Sequence, residues 1–145
     1  MDKRPLPDDV VVQLNQNRGP FTEQLGLEFV AASYDRVEAT VPVTPGLHQP
    51  HGLVHGGVYA AIVEAMASAG SNLWAMNDGK VVVGLENTTS FLRAVRDGTL
   101  HVVAHPLQSG RRTHVWAVEI AREGKLVARG QVRCLAVEPG STGGA

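Results

Sequence analysis

One stretch of this chain carries a sustained helical pattern, with two strand-like segments before it and four after it. From about Gly56 to Met76, the apolar residues Val58, Ala61, Ile62, Ala65, Met66, Ala69, Leu73 and Met76 recur at helical spacing, and Asn77-Asp78-Gly79 ends the run. The wider segment from Leu53 to Met76 is apolar enough to be mistaken for a membrane span. It carries His55 and Glu64, however, and a carboxylate at mid-bilayer costs about 2.5–3.5 kcal/mol. The segment therefore reads as a buried helix of a soluble domain, with Gly56, Gly57 and Gly70 allowing close packing.

The rest of the chain is arranged around that helix. Residues 8–17 read as a short helix broken by Gly19-Pro20. Leu25 to Ala32 and Arg36 to Val43 read as strands around Ser33-Tyr34-Asp35, and a Pro- and Gly-rich loop, Thr44 to Gly52, leads into the helix. Four further strands follow: Val81 to Arg93, Leu100 to Leu107, Thr113 to Arg122 and Leu126 to Val137. The short links Arg96-Asp97-Gly98, Ser109-Gly110 and Glu123-Gly124-Lys125 predict hairpins, so each strand is expected to pair antiparallel with the next. The expected class is α+β, a strongly curved antiparallel sheet wrapped around one central helix. Residues 1–20 form an N-terminal segment, 21–138 the domain, and 139–145 a Gly- and Ser-rich tail expected to be disordered. Such a sheet leaves open edges, which predicts pairing between subunits.

Composition removes several function classes. With 145 residues, 43% of them apolar, the chain suits one domain with a real core. A formal net charge of -1, with no basic face, argues against a nucleic-acid partner. The single cysteine, Cys134, rules out an internal disulfide and suits a reducing cytoplasm. The polar start, Met1 to Asp9, has no apolar run behind it, and no signal peptide is expected.

The chemistry concentrates in His48 to Ser68, which reads HQPHGLVHGGVYAAIVEAMAS. His55-Gly56-Gly57 opens the helix, where unpaired N–H groups sit at a positive dipole end and suit an oxyanion. The same glycines also simply permit a tight entry into the helix. Glu64 stands among Ile62, Val63, Ala65 and Met66, and a carboxylate in apolar surroundings suits a base or nucleophile. A partly exposed or salt-bridged glutamate would read the same way. Gln49 offers an amide donor for a carbonyl, or a cap for its own loop. Gly56 and Glu64 are eight residues apart, about 12 Å along one helix. One reacting carbonyl cannot touch both in a single subunit, so a site that uses both needs a dimer.

Other chemistries fit less well. His48, His51 and His55 recur at short intervals, but Pro50 and Gly52 break any regular face, and no metal is expected. The chain contains no G-x-S-x-G elbow, no Gly-x-Gly-x-x-Gly and no Walker loop. The turn Ser109-Gly110-Arg111-Arg112-Thr113, with Arg93 added, suits phosphates, although a solvated hairpin turn has the same composition.

The run HQPHGLVHGG, then Glu64 and Ser68, resembles the PaaI-type hot-dog thioesterases, and within them the glutamate-using branch that includes 4-hydroxybenzoyl-CoA thioesterases. The resemblance extends from about Leu25 to Val137, including VVGLENTTSFLR and the SGRR turn. It implies a hot-dog fold and hydrolysis of acyl-CoA or aryl-CoA esters, with Glu64 as nucleophile or general base. Gly56 N–H would then polarise the carbonyl, with Gln49 and His55 arranged around it. Ser68 would position the hydrolytic water, and Gly57, Arg93 and the turn Ser109 to Thr113 would bind substrate. It further implies a homodimer, usually assembled into a homotetramer, with no cofactor beyond the CoA that belongs to the substrate. Phe91 and Leu92 stand where such relatives often carry histidine, which implies a more apolar acyl group. A non-catalytic acyl-CoA sensor is the main rival. A hydratase is less well matched, because its Asp/His pairing is missing from this segment.

Overall fold

The computed structural model describes residues 3–142. The expected disorder of the tail therefore falls partly outside the described residues, at 143–145. The element order is α1 (Val10–Gln16), α2 (Pro20–Gln24), β1 (Glu28–Ala32), β2 (Val37–Pro42), α3 (Gly56–Ala75), β3 (Val81–Phe91), β4 (Thr99–Ser109), β5 (Thr113–Arg122) and β6 (Lys125–Val137). The six strands form one antiparallel sheet in the order β1-β2-β4-β5-β6-β3, packed on α3. This is the hot-dog arrangement expected from the sequence.

The strand pattern explains the wrapping. In β2, Val37, Ala39 and Val41 are buried, and in β4, Leu100, Val102 and Ala104. Every second side chain therefore faces the helix, as the two-residue period of a strand dictates. From α3, Ile62, Val63, Met66 and Leu73 press against them, each burial contributing about 1.5–3 kcal/mol. Two glycines set the spacing. The ring of Trp116 occupies the place of a side chain at Gly70, and Thr89 Oγ1 and Val63 Cγ1 crowd Gly130.

Three expectations need correction. The segment Val81 to Arg93 does not form a hairpin with the strand that follows it. β3 pairs only with β6, at the far side of the sheet, and the link 92–98 carries the chain back to β4. A short link reads as a hairpin in sequence, but burial of α3 is satisfied by closing the sheet around it. Pro20 does not merely break a helix; it opens α2, since its fixed φ suits a first helical turn. Leu25 to Leu27 precede the strand rather than belonging to it, because Gly26 adopts φ +73 and turns the chain.

The N-terminal helices are tied to the sheet edge. Asn15 Nδ2 donates to the Phe29 carbonyl at 2.9 Å, and Phe29 N–H donates to Asn15 Oδ1 at 2.9 Å. This amide pair imitates a neighbouring strand and hangs α1 on β1. Arg18 Nη1 donates to the Leu27 carbonyl at 2.8 Å. The two short helices thus roof one face of α3. Among the described residues no helix is long and apolar enough to cross a membrane.

Candidate active site

Glu64 sits in the third turn of α3, half-buried, with its carboxylate over Gly84 of β3. A Cβ on that glycine would collide with Oε1. Oε2 accepts a hydrogen bond from Asn87 Nδ2 at 3.0 Å. The same nitrogen donates to the Ala60 carbonyl at 3.0 Å, and Thr89 Oγ1 donates to Asn87 Oδ1 at 2.7 Å. A cavity of about 580 Å³ opens beside the carboxylate, between α3 and the roof of α1 and α2. Ser68, one turn after Glu64, lines it, as do Leu14, Arg18, Phe21 and Asn72.

The start of α3 is a separate place. His55 is the N-cap, and its Nδ1 accepts from Gly57 N–H at 2.8 Å. The His55 carbonyl accepts from Val58 N–H at 2.9 Å. Gly56 N–H has no partner among the described residues and stands at the positive end of a 20-residue helix. Gly57, expected to bind substrate, gives its amide to His55 instead. Gln49 Oε1 accepts from the backbone N–H groups of His51 at 2.5 Å and Leu53 at 3.3 Å. Both donors are amides, so the orientation of the side chain is fixed and Nε2 remains free to donate. Gln49, Gly56, Tyr59, Phe91 and Arg93 line a second cavity of about 330 Å³. The Phe91 ring lies against Gly56 where a Cβ would stand, so the glycine makes room for a side chain first.

The hairpin turn after β4 is held from inside. His114, buried, binds the Gly110 carbonyl through Nε2 at 2.9 Å, and Gly110 N–H donates to the Thr113 carbonyl at 2.9 Å. Ser109 has a buried hydroxyl, whereas Arg111 and Arg112 are exposed and form no ion pair among the described residues. Burial lowers the His114 pKa from its usual value, opposed in part by the backbone of Gly110 and Ser71. Its cross-strand neighbour Cys134 is buried, which pushes the thiol pKa up, and the Glu64 charge raises it further.

The structure does not bring Arg93 to this turn within one chain. Register runs Thr113–Leu135–Val83 at one end of the sheet and Ile120–Ala128–Phe91 at the other. From Val83 to Phe91 is roughly 25 Å of strand. Arg93 shares its cavity with Gly56 and Gln49 instead. The three loop histidines do not converge: His48 Nε2 contacts the Arg96 carbonyl at 2.7 Å, His55 caps α3, and His51 is exposed.

Residues 51–128 match the family model of the thioesterase superfamily. The chain belongs to that superfamily. This thioesterase is 42% identical over 117 residues to the Mycobacterium tuberculosis protein Rv1847, covering 79% of this chain and 84% of that one. It is 41% identical over 105 residues to the proofreading thioesterase EntH of Cronobacter turicensis, covering 72% and 76%. The crystal structure of the thioesterase HI1161 from Haemophilus influenzae superposes with a TM-score of 0.84 at 33% identity, over 94% of each chain. The expected enzyme class, a thioester hydrolase, and the hot-dog fold both stand.

Sequence reasoning gave no role to Asn87 or Gly84, and it read Phe91 as a sign of an apolar acyl group rather than as a neighbour of Gly56. A polar residue and a glycine in a strand are common, and only the crossing of β3 beneath α3 gives them partners. No local signal marks them.

Proposed function

We propose that this thioesterase hydrolyses acyl- or aryl-CoA esters to a carboxylate and free CoA, in sites shared between two copies of the chain. One observation carries the reading. Glu64 and the free Gly56 N–H line different cavities of one chain, and register puts Arg93 and the Ser109–Thr113 turn at opposite ends of the sheet. β3 is an 11-residue edge strand with no buried residue, and Leu85 and Phe91 are 50% and 56% exposed. A bare edge of this kind invites pairing with another strand. Antiparallel pairing of β3 with its own copy brings the Phe91 end of one chain beside the Val83 end of the other. That single two-fold operation reunites both separated pairs: Gly56 with Glu64, and Arg93 with the arginine turn.

In such a site the Glu64 carboxylate takes a proton from water as the water attacks the thioester carbon, or attacks that carbon itself. The oxyanion is held by Gly56 N–H and Gln49 Nε2, with His55 fixing the helix entry and Ser68 orienting the water. The C–S bond then breaks and CoA leaves as the thiol, taking the proton that Glu64 drew from water; where Glu64 itself attacks, the thiolate takes its proton from solvent and water hydrolyses the acyl–glutamyl anhydride to free the acid and Glu64. Arg93, Arg111 and Arg112, with Ser109, Gly110 and Thr113, meet the CoA phosphates. No resident cofactor enters this scheme. The dimer is its minimum unit, and a tetramer is two such dimers.

The test is thiol release from a panel of acyl- and aryl-CoA esters. The reading expects turnover that falls by about 100-fold or more in Glu64→Ala. Undiminished turnover in that variant would overturn the mechanism. Tight ester binding without turnover in the wild type would point to a sensor instead.

A further inference from the structure

Asn87 is bonded in three directions. Its Nδ2 donates to Glu64 Oε2 and to the Ala60 carbonyl, both at 3.0 Å, and its Oδ1 accepts from Thr89 Oγ1 at 2.7 Å. A side-chain amide held at both ends has no freedom to turn. Oε2 of Glu64 is therefore committed as an acceptor, while Oε1, over Gly84, has no hydrogen-bond partner among the described residues. Only one carboxylate oxygen is left for chemistry.

We propose that Asn87 is a positioning residue of the reaction. It holds Oε2 and leaves Oε1 to take the proton or attack the carbonyl carbon. The inference rests on Glu64 being the reacting carboxylate. Other groups near Glu64 are few. α3 carries no second charged residue, and Arg18 lines the same cavity from the α1–α2 link. Cys134 of β6 lies within the field of Glu64, and Glu86 of β3 is occupied by Arg133 at 3.2 Å. Among the described residues, Asn87 supplies the one directed donor.

The experiment measures kcat, KM and the pH profile of thiol release for wild type, Asn87→Asp, Asn87→Ala and Thr89→Val, using a CoA ester that the wild type turns over. Asn87→Asp keeps the shape but replaces the donor with an acceptor and a like charge. The like charge added in Asn87→Asp should move the acid limb of kcat/KM up by about one pH unit or more. Turnover near neutrality should fall about 10- to 100-fold, with KM changed far less. Thr89→Val, which frees the far end of the amide, should lose about 2- to 5-fold. A merely structural asparagine would not move the acid limb, and melting curves show which variants are folded. If Asn87→Asp fails to fold, the split between kcat and KM in Asn87→Ala decides. Unmoved limbs with unchanged turnover, beside an inactive Glu64→Gln, would overturn the inference alone. An active Glu64→Gln would overturn the reading beneath it as well.

Discussion

The Glu64 carboxylate rests on the bare Cα of Gly84, and a methyl group added there would overlap Oε1. Gly84 has no positive φ, so alanine suits its backbone, and the conflict is with the carboxylate alone. Gly84→Ala should therefore push Glu64 aside while leaving the sheet intact. The expected result is a fall in kcat of about 100-fold, the scale of a misplacement near 1 Å. The midpoint of thermal unfolding should drop by only a few degrees, about 1 kcal/mol. Thiol-release kinetics and a melting curve on one preparation check both.

A shared site has a signature in mixtures. Gln49→Ala removes the free amide beside Gly56, and Glu64→Ala removes the carboxylate eight residues along the helix. Each variant alone should be nearly inactive. If the chains exchange, a mixed dimer has one site with both defects and one with neither. Random re-association then restores about a quarter of wild-type activity. Mixtures that stay at the level of the parents after demonstrated exchange would place both residues in one chain's site.

Much of this fold was legible because the helix and the alternating strands obey simple periods. Ile62, Met66 and Leu73 announce α3, and Val37, Ala39 and Val41 announce the buried face of β2. The partner of β3 was not legible, because Arg96-Asp97-Gly98 looks like any hairpin link while closure around α3 is a property of the whole sheet. The site divides in the same way. Glu64, Gly56 and Gln49 stand out as polar or flexible residues where the pattern wants neither. Asn87 becomes visible only when β3 lies under α3, and the tie between Phe91 and Gly56 only when the ring meets the helix start. Arg93 was grouped with the arginine turn by charge alone, and register separates them within a chain.

Buried His114 gives the fold a pH dependence of predictable sign. Burial lowers its folded pKa below the ordinary value of about 6.5 that the unfolded chain keeps. The unfolded state therefore binds the proton first as pH falls. Stability contributed by neutral His114 is complete above about 6.5 and is lost downward from there, towards the folded pKa. His114→Gln retains a donor for the Gly110 carbonyl and removes the titration. Between pH 7.5 and pH 5.5 the wild type should lose about 2–5 °C more in melting temperature than the variant. Carboxylates common to both proteins cancel in the comparison, so equal losses would sink this account.

Gly56 serves two demands that mutation can separate. Its N–H is free at the head of α3, and its missing side chain leaves space for the Phe91 ring. Alanine keeps the N–H but collides with the ring, so Gly56→Ala should lower stability by about 1–3 kcal/mol and weaken turnover. Phe91→Ala removes the obstacle. In that background Gly56→Ala should cost far less, a coupling of about 1–2 kcal/mol between neighbours in contact. Denaturant unfolding of the wild type, both single variants and the double variant gives the cycle, and thiol release on the same four proteins gives the second half. Turnover that recovers with stability assigns the glycine to packing and leaves the oxyanion role to the amide alone. Additive losses in both would mean that Phe91 is not what requires a glycine at the start of α3.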